Sequence, residues 1–341
     1  MPTTTFKTSS LPGNADFQKI VEPLVPAFGE LEAFLSRQVS SFEPEVQPLV
    51  EYCFGHSGKK LRPILVFSMG LEDFSSPTEE MVKAAAIVEL VHLATLVHDD
   101  ILDEAEVRHR TETVVARHGA HVAVLLGDAL FAHALHLAAQ FPDVEVCRRV
   151  SLATRQVCSG EIAQTFAREV GAPSTEAYYR MIDLKTAELF AVSSHLGAYL
   201  AGFSGEALQA AGDFARHLGI AYQIYDDAAD IFAEEAVAGK TLGTDLATGK
   251  FTLPVLMWLD SLAPDSRQAA ITSMREGDHV LDMVRQALQE HAILEKAGMA
   301  FTSQIESACH AVEAIPGKAR REQLLRLANF VGSAWNKFSI Q

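Results

Sequence analysis

The chain has 341 residues, of which 48% are hydrophobic, and a formal net charge of −16 at pH 7. A chain of this length can bury a large core, while so negative a charge argues against nucleic acid or an anionic membrane as the main partner. No run of 18 or more uncharged apolar residues occurs, so we expect no membrane-spanning helix. The apolar surplus must therefore line a core, a pocket or an oligomer interface.

The first residues and the cysteines bear on domain organisation and localisation. Residues 1–14 lack the apolar segment of a signal peptide, and we expect a flexible lead-in to one domain over residues 15–341. Apolar residues recur with helical spacing nearly throughout that domain, without convincing period-two alternation, so the predicted class is all-α. No CxxC spacing relates the cysteines, which indicates reduced thiols in a cytoplasmic protein: Cys53, Cys147, Cys158 and Cys309.

The first segment with candidate chemistry is basic, Gly58-Lys59-Lys60-Leu61-Arg62-Pro63. Pro63 suits the first turn of the apolar helix that follows. Lys59 and Arg62 would then lie beside the N-terminus of that helix, where anions are favoured. The alternative is an ordinary solvated basic loop.

Two predicted helices end in the same acidic pattern. Ser76-Pro77-Thr78-Glu79 has the order of an N-cap, a first-turn proline and a capping-box glutamate. The helix it opens should run to the first acidic cluster, which consists of Asp99, Asp100 and Asp103. A helix from about Ala207 should end in the second acidic cluster, which consists of Asp226, Asp227 and Asp230.

Within each cluster, spacings of three and four residues place the carboxylates on one face of the helix. Like charges so close repel each other, and at a helix C-terminus they also oppose the macrodipole. Magnesium would offset that cost, because it binds through one or two carboxylates and keeps water and phosphate oxygens as its other ligands. One cluster alone is better explained by a solvated acidic turn. The pair predicts two facing clusters that bind a diphosphate through about three magnesium ions.

Three further segments supply cations. Glu104-Ala105-Glu106-Val107-Arg108-His109-Arg110 follows the first cluster, where arginine either forms local salt bridges or reaches phosphate oxygens. Asp183-Leu184-Lys185-Thr186-Ala187 places a lysine inside an apolar helix, so an acid or a ligand anion must meet it. After the second cluster, a glycine-rich loop with Lys240 and Lys250 suits a mobile lid over phosphates.

Together these motifs resemble the trans-isoprenyl (polyprenyl) diphosphate synthase family. The similarity runs from about residue 55 to residue 255 and includes GKxLRP, two DDxxD clusters, KTA and GKTxGxDxxxGKxTLP. It implies a single large helical bundle around a central cavity, usually in a homodimer. The implied reaction is the magnesium-dependent, head-to-tail condensation of isopentenyl diphosphate with an allylic prenyl diphosphate.

The resemblance also implies roles for individual residues. Both acidic clusters would hold magnesium, and Thr186 and Gln223 would line the place where the allylic cation forms. The allylic diphosphate would be contacted by Arg108, Lys185, Lys240 and Lys250. Isopentenyl diphosphate would be bound by Lys59, Arg62, His92 and His109. Where the family usually has Arg-Arg-Gly, this chain has Arg108-His109-Arg110. Unless Arg110 substitutes, the expected consequence is a reduced affinity for isopentenyl diphosphate, an unusual acceptor or a changed pH response.

Product length should depend on the helix before Asp99. None of its expected cavity-facing residues is aromatic: Thr95, Ala94, Val91 and either Val88 or Ile87. In the family a bulky ring four or five residues before the first aspartate stops growth early. Its absence predicts a product of C20 or longer, with Phe131 on a neighbouring helix as a candidate end wall.

Two other functions remain open. A class I terpene cyclase also ionises a prenyl diphosphate with aspartates and magnesium, but it needs no site for isopentenyl diphosphate, which Lys59, Arg62 and His92 provide for. The second alternative is a non-catalytic subunit of a heteromeric synthase, for which the change at His109 is the only hint. Such subunits usually lose aspartates, whereas all six are present here.

Overall fold

The computed structural model describes residues 14–55, 58–74, 76–108, 111–170, 172–233, 243–276 and 280–338. Over these residues the chain is almost entirely helical, which confirms the predicted all-α class. The buried apolar residues form one continuous cluster that extends from Phe17 to Phe338.

In chain order the helices are α1 (Asn14–Val21), α2 (Val25–Val39), α3 (Gln47–Gly55), α4 (Leu61–Gly70), α5 (Glu79–Leu102), α6 (Val114–His118), α7 (Ala120–Ala138), α8 (Glu145–Val170), α9 (Thr175–Ile182), α10 (Glu188–Leu200), α11 (Gly205–Phe232), α12 (Thr244–Ala247), α13 (Leu253–Asp260), α14 (Pro264–Glu276), α15 (Val280–Glu290), α16 (Ile293–Ala311) and α17 (Lys318–Ser333). Short 3-10 turns occupy Glu22–Leu24, Val312–Ala314 and Ala334–Phe338, and a π-helical turn, Asp183–Ala187, joins α9 to α10.

Helix α5 lies in the core and packs against α2, α4, α7 and α10. The hydroxyl of Thr78 accepts a hydrogen bond of 3.2 Å from the amide of Met81, so the helix begins at Glu79. The predicted N-cap, Ser76, is wrong, because Thr78 is the hydroxyl residue directly before the first turn.

The helices approach each other closely where glycine removes a side chain. A Cβ at Gly197 on α10 would lie 2.3 Å from the backbone oxygen of Val66 on α4. A Cβ at Gly127 on α7 would lie 2.1 Å from Nε2 of His98 on α5. Because a carbonyl cannot rotate aside as a side chain can, the contact at Gly197 fixes the spacing of α4 and α10.

A small antiparallel hairpin follows the first acidic cluster. Its strands are β1 (Val107–Arg108) and β2 (Thr111–Glu112), with Arg108 opposite Thr111. The hydroxyl of Tyr52 on α3 donates to the carbonyl of Glu112 over 2.6 Å. Two-residue strands are too short to show alternation in a sequence, and this hairpin was absent from the predicted elements.

Two helices, α5 and α7, are long and apolar enough to cross a membrane by length and composition alone. In α5, 72% of the most apolar window is buried inside the protein, as expected of a core helix. In α7 the buried share is only 33%, so much of an apolar helix lies at the surface of the chain. Since core helices pass the same test, neither is a clear membrane segment.

Candidate active site

The first acidic cluster lies at the C-terminal end of α5. Asp99 and Asp103, one turn apart, are partly exposed, whereas Asp100 is buried. Nε of Arg108 on the hairpin donates to Oδ1 of Asp100 over 2.7 Å. Burial raises the pKa of Asp100, and Arg108 opposes that shift. Asp100 thus holds the hairpin, while the side chains of Asp99 and Asp103 stay partly exposed.

The second acidic cluster lies near the C-terminal end of α11. Asp226 is partly buried, and Asp227 and Asp230 are fully buried. Asp227 accepts hydrogen bonds from the hydroxyl of Tyr178 at 2.5 Å and from Nε2 of Gln223 at 2.8 Å. Burial raises the pKa of Asp227 to about 8, and the nearby carboxylate of Asp245 acts in the same direction.

Asp230 is bonded to the start of α12. Its Oδ1 accepts from the hydroxyl of Thr244 and its Oδ2 from the amide of Asp245, both over 3.1 Å. Its backbone carbonyl accepts from the amide of Gly243 over 2.9 Å. Because the residue is 0% exposed, both of its carboxylate oxygens face protein.

Lys250 connects the two clusters. Its Nζ lies 2.8 Å from Oδ2 of Asp103 in the first cluster and 3.4 Å from Oδ1 of Asp245. Through Asp245 it is joined to Asp230 of the second cluster. The carboxylates of α5 and α11 therefore belong to one polar region.

The π-helical turn Asp183–Ala187 places two predicted residues against this region. Nζ of Lys185 forms an ion pair with Glu161 on α8 and lies 4.0 Å from Oδ1 of Asp99. Burial lowers the pKa of Lys185, but the two carboxylates outweigh burial and raise it. The hydroxyl of Thr186 donates to Oε1 of Gln223 over 2.7 Å. This partly buried lysine does have acidic partners, as the sequence required.

The predicted basic site lies at the start of α4. Burial lowers the pKa of Lys59 to about 8, Lys337 adds to the shift, and Asp226 opposes it. Burial also lowers the pKa of Arg62 to about 10, with Glu89 as the largest opposing charge. The guanidinium of Arg62 lies 5.0 Å from the ring centroid of Phe190, and its buried Nε has no hydrogen-bond partner.

The remaining predicted residues are placed as follows. His109 and Lys240 lie outside the described residues. His92 is partly buried on α5, two turns before Asp99. Of the expected product wall, Val91 and Ala94 are 1% and 0% exposed, while Thr95 is partly exposed. The ring of Phe131 lies 5.6 Å from that of His98.

Four residues of the site were missed by the sequence interpretation. Each lies far in sequence from the residue whose charge or position it affects, and no spacing rule relates the two. Glu161 pairs with Lys185 and Tyr178 with Asp227, while the charges of Glu89 and Lys337 act on Arg62 and Lys59. The need of a buried lysine for an acid predicted that a residue like Glu161 exists, but not which one.

The chemistry of the site suits magnesium together with a phosphate ligand. Within the described residues, no group of three or more His, Cys, Asp or Glu side chains is placed to hold an ion by itself. Hard oxygen donors are nevertheless present on Asp99, Asp103 and Asp226. Magnesium bound through one or two carboxylates, with phosphate oxygens and water completing its shell, fits this donor set.

Comparison with known proteins gives concordant matches. A family model described as polyprenyl synthetase matches residues 43–291. An octaprenyl diphosphate synthase of Escherichia coli K12 is 29% identical over 320 residues, covering 92% of this chain and 98% of the relative. A crystal structure of a decaprenyl diphosphate synthase from Rhodobacter capsulatus has a TM-score of 0.85 at 28% identity, covering 93% and 98% of the two chains. A polyprenyl synthase from Caulobacter crescentus CB15, complexed with calcium and isoprenyl diphosphate, has a TM-score of 0.82 at 27% identity, covering 96% and 99%.

Proposed function

The chain belongs to the polyprenyl synthetase family, which consists of prenyltransferases, and from that membership we propose that it condenses isopentenyl diphosphate with an allylic prenyl diphosphate, head to tail. The observation that carries the proposal is the connection of the two acidic clusters through Lys250 and Asp245. Opposed carboxylates with interspersed cations are what a metal-bound diphosphate requires. The matched enzymes named octaprenyl and decaprenyl diphosphate synthase support a product of C20 or longer.

We assign magnesium binding to the partly exposed carboxylates, Asp99, Asp103 and Asp226. Asp100, Asp227 and Asp230 accept hydrogen bonds from other parts of the chain and would hold the site in shape. When bound, magnesium neutralises negative charge that develops on the leaving diphosphate. Three ions per site would serve a diphosphate between two clusters, and the calcium and isoprenyl diphosphate bound by the Caulobacter enzyme agree with such a combination.

The protein's own cations would then bind the allylic diphosphate. Arg108, Lys185 and Lys250 lie against carboxylates here and can turn to phosphate oxygens when that ligand is bound. Lys240, predicted for the same role, lies outside the described residues. Their positive charge stabilises the departing diphosphate, so the allylic C–O bond ionises. The hydroxyl of Thr186 and the amide of Gln223 would present oxygen dipoles to the resulting cation.

The second substrate would bind at the start of α4. Lys59 and Arg62 supply two positive charges there, and Lys337 is a third cation close by. His92, predicted for the same substrate, lies on α5 two turns before Asp99. Isopentenyl diphosphate held by these groups would place its double bond opposite the allylic cation. After the carbon–carbon bond forms, transfer of a proton to the released diphosphate would complete one five-carbon addition.

We propose further that the molecule is a homodimer that associates through α7 and α8. Large apolar side chains on these two helices are exposed in the single chain: Val124, Leu125, Ile162 and Phe166. Association through this face would also explain why so little of the apolar helix α7 is buried in the single chain. A second copy is the partner that would cover this face on both chains at once. All four cysteines are free thiols, which suits a cytoplasmic protein consisting of one catalytic domain.

The decisive experiment supplies labelled isopentenyl diphosphate with dimethylallyl, geranyl, farnesyl or geranylgeranyl diphosphate, and magnesium, and separates the products by chromatography. We expect linear products of C20 or longer. Growth that stops at C15 even with excess isopentenyl diphosphate would contradict the predicted length. Asp99→Asn should abolish elongation. The matched control is Asp213→Asn, at a partly exposed aspartate earlier on α11.

The same assay separates the two other functions. Cyclised hydrocarbon formed from one prenyl diphosphate without isopentenyl diphosphate would identify a terpene cyclase. A purified chain that is inactive with every primer, but restores turnover to a second protein, would identify a non-catalytic subunit. The basic site at Lys59 and Arg62 favours elongation over cyclisation, and the complete acidic clusters favour a catalytic chain.

A further inference from the structure

The π-helical turn between α9 and α10 has an unusual hydrogen-bond pattern. The amide of Glu188 donates to the carbonyl of Asp183, five residues back instead of four. Such a turn contains one extra residue and occurs mostly where the surrounding structure supports it, often at functional sites. Because Lys185 and Thr186 both belong to the turn, whatever holds the turn also sets the direction of those side chains.

Two glycines enclose the backbone of the turn. A Cβ at Gly160 on α8 would lie 2.7 Å from the amide nitrogen of Lys185. A Cβ at Gly219 on α11 would lie 2.8 Å from Cα of Ala187. Both distances are to backbone atoms, which cannot rotate away. The turn therefore fits into a slot between α8 and α11 that only glycine leaves wide enough.

Arg216, one turn before Gly219 on α11, bridges the two ends of the π-helical turn. Its Nη1 donates to Asp183 and its Nη2 to Glu188. In an unbroken α-helix, residues five apart point about 140° away from each other, so one guanidinium could not reach both. The extra residue brings the two carboxylates to one side, where the planar fork of arginine fits them.

We propose that Arg216 is a positioning residue: by holding Asp183 and Glu188 together, it maintains the π-helical turn and so directs Lys185 towards Asp99 and Thr186 towards Gln223. The inference depends on the proposed role of Lys185 in binding the allylic diphosphate. Without the bridge, the turn should relax towards a regular α-helix. A shift of one residue would rotate Lys185 by about 100° away from the acidic region.

Arg216→Lys is the test, because lysine keeps the charge but cannot bridge two carboxylates. We expect kcat to fall about tenfold or more, with the KM for isopentenyl diphosphate nearly unchanged. Arg267→Lys is the matched control, since Arg267 also pairs with a carboxylate, Asp260, and its side chain is 31% exposed against 32% for Arg216. Equal kcat losses in the two variants would overturn the proposal.

A double-mutant cycle separates this inference from the proposed function. If Arg216 acts through the turn, Arg216→Lys should reduce kcat little further in a Lys185→Ala background. Additive losses would overturn the positioning role of Arg216. An unchanged kcat in Lys185→Ala alone would instead overturn the role proposed for Lys185.

A readout that does not involve activity completes the test. Hydrogen exchange of the amides of residues 184–188 should be faster in Arg216→Lys, and also in Gly219→Ala, whose new methyl group would displace Ala187. It should be unchanged in Arg267→Lys. Wild-type exchange rates in a folded Arg216→Lys variant would show that the turn needs no bridge, and would overturn the proposal.

Discussion

Among single residues, Lys59 carries a charge that its surroundings disfavour. Burial lowers its pKa to about 8, the charge of Lys337 acts in the same direction, and Asp226 compensates only in part. The side chain therefore loses its proton as the pH rises through 8, well below the usual range for lysine. A bound anion would restore the proton, because nearby negative charge favours the protonated form.

We expect the affinity for isopentenyl diphosphate to fall above pH 8, by up to about tenfold per pH unit. Between pH 8 and 9, binding should take up a proton, which calorimetry in two buffers of different ionisation enthalpy measures. Lys59→Arg is the control, because a guanidinium stays charged over this range. The same pH profile in Lys59→Arg would assign the proton to another group.

Asp226 and Asp230 differ in environment although they belong to one motif. Asp230 is buried and bonded to Thr244 and Asp245, whereas Asp226 keeps some exposure. Asp230→Asn should lower the free energy of unfolding by about 1–3 kcal/mol, because the new amide faces a backbone donor or a hydroxyl. The magnesium concentration for half-maximal activity should change little in that variant.

Asp226→Asn should behave in the opposite way. We expect the magnesium requirement to rise about tenfold or more and the unfolding free energy to stay near that of the wild type. Magnesium titrations of activity, paired with urea denaturation, measure both quantities for each variant. Equal increases in magnesium requirement would show that Asp230 binds metal as directly as Asp226 does.

At the scale of secondary structure, α5 orders the functions along one face. Thr95, Asp99 and Asp103 follow at spacings of four residues, so they share a side of the helix, and His92 lies three residues before Thr95. Thr95 is partly exposed and its hydroxyl donates to the carbonyl of His92. A prenyl chain attached to a diphosphate at Asp99 would thus pass Thr95 first.

Thr95→Phe should therefore shorten the product, because a ring one turn before Asp99 would block the chain. Ala94→Phe tests the neighbouring wall position, although Ala94 is 0% exposed and a ring there also strains the core. Leu96→Phe is the control, since that residue points about 100° away from Thr95. Chromatography of the products measures the change, and an unaltered profile in Thr95→Phe would place the prenyl tail elsewhere.

The elements differed in how well the sequence predicted them. Helices α5 and α11 were expected from apolar periodicity and from their acidic ends, and both are present. The π-helical turn could not be foreseen, because Gly160, Gly219 and Arg216, which hold it, come from helices remote in sequence. The predicted fold class and family are confirmed, whereas the roles of individual site residues stay predictions.

The site itself was predictable where one segment supplies the whole pattern. Both aspartate clusters and the lysine of the Asp183–Ala187 segment were found from local spacing and burial arguments. Glu161 and Tyr178 were not, because a partner across the bundle leaves no local trace in a single sequence. The balance of positive and negative charge around the motif residues therefore depends on tertiary contacts, which the motifs alone do not reveal.

At the scale of the whole molecule, the exposed apolar face of α7 and α8 should control assembly. Leu125 and Phe166 are 68% and 63% exposed in the single chain, and burying them against a second copy would stabilise a dimer. We expect Leu125→Glu combined with Phe166→Glu to yield monomers in analytical ultracentrifugation. Met299→Glu, on α16 and 66% exposed, is the control and should leave the oligomeric state unchanged.

The ion pairs of Lys185 and Lys250 have a consequence for the order in which ligands arrive. A metal ion that binds Asp103 neutralises the carboxylate next to Lys250. The ammonium of Lys250 then has less negative charge beside it, unless a polyphosphate binds together with the metal. In the same way, a polyphosphate that binds Lys250 reduces the positive charge beside Asp103. Each newcomer thus raises the affinity for the other, by reciprocal linkage. The protein should therefore bind the complex of metal and diphosphate tightly, and bind the metal alone or the diphosphate alone only weakly.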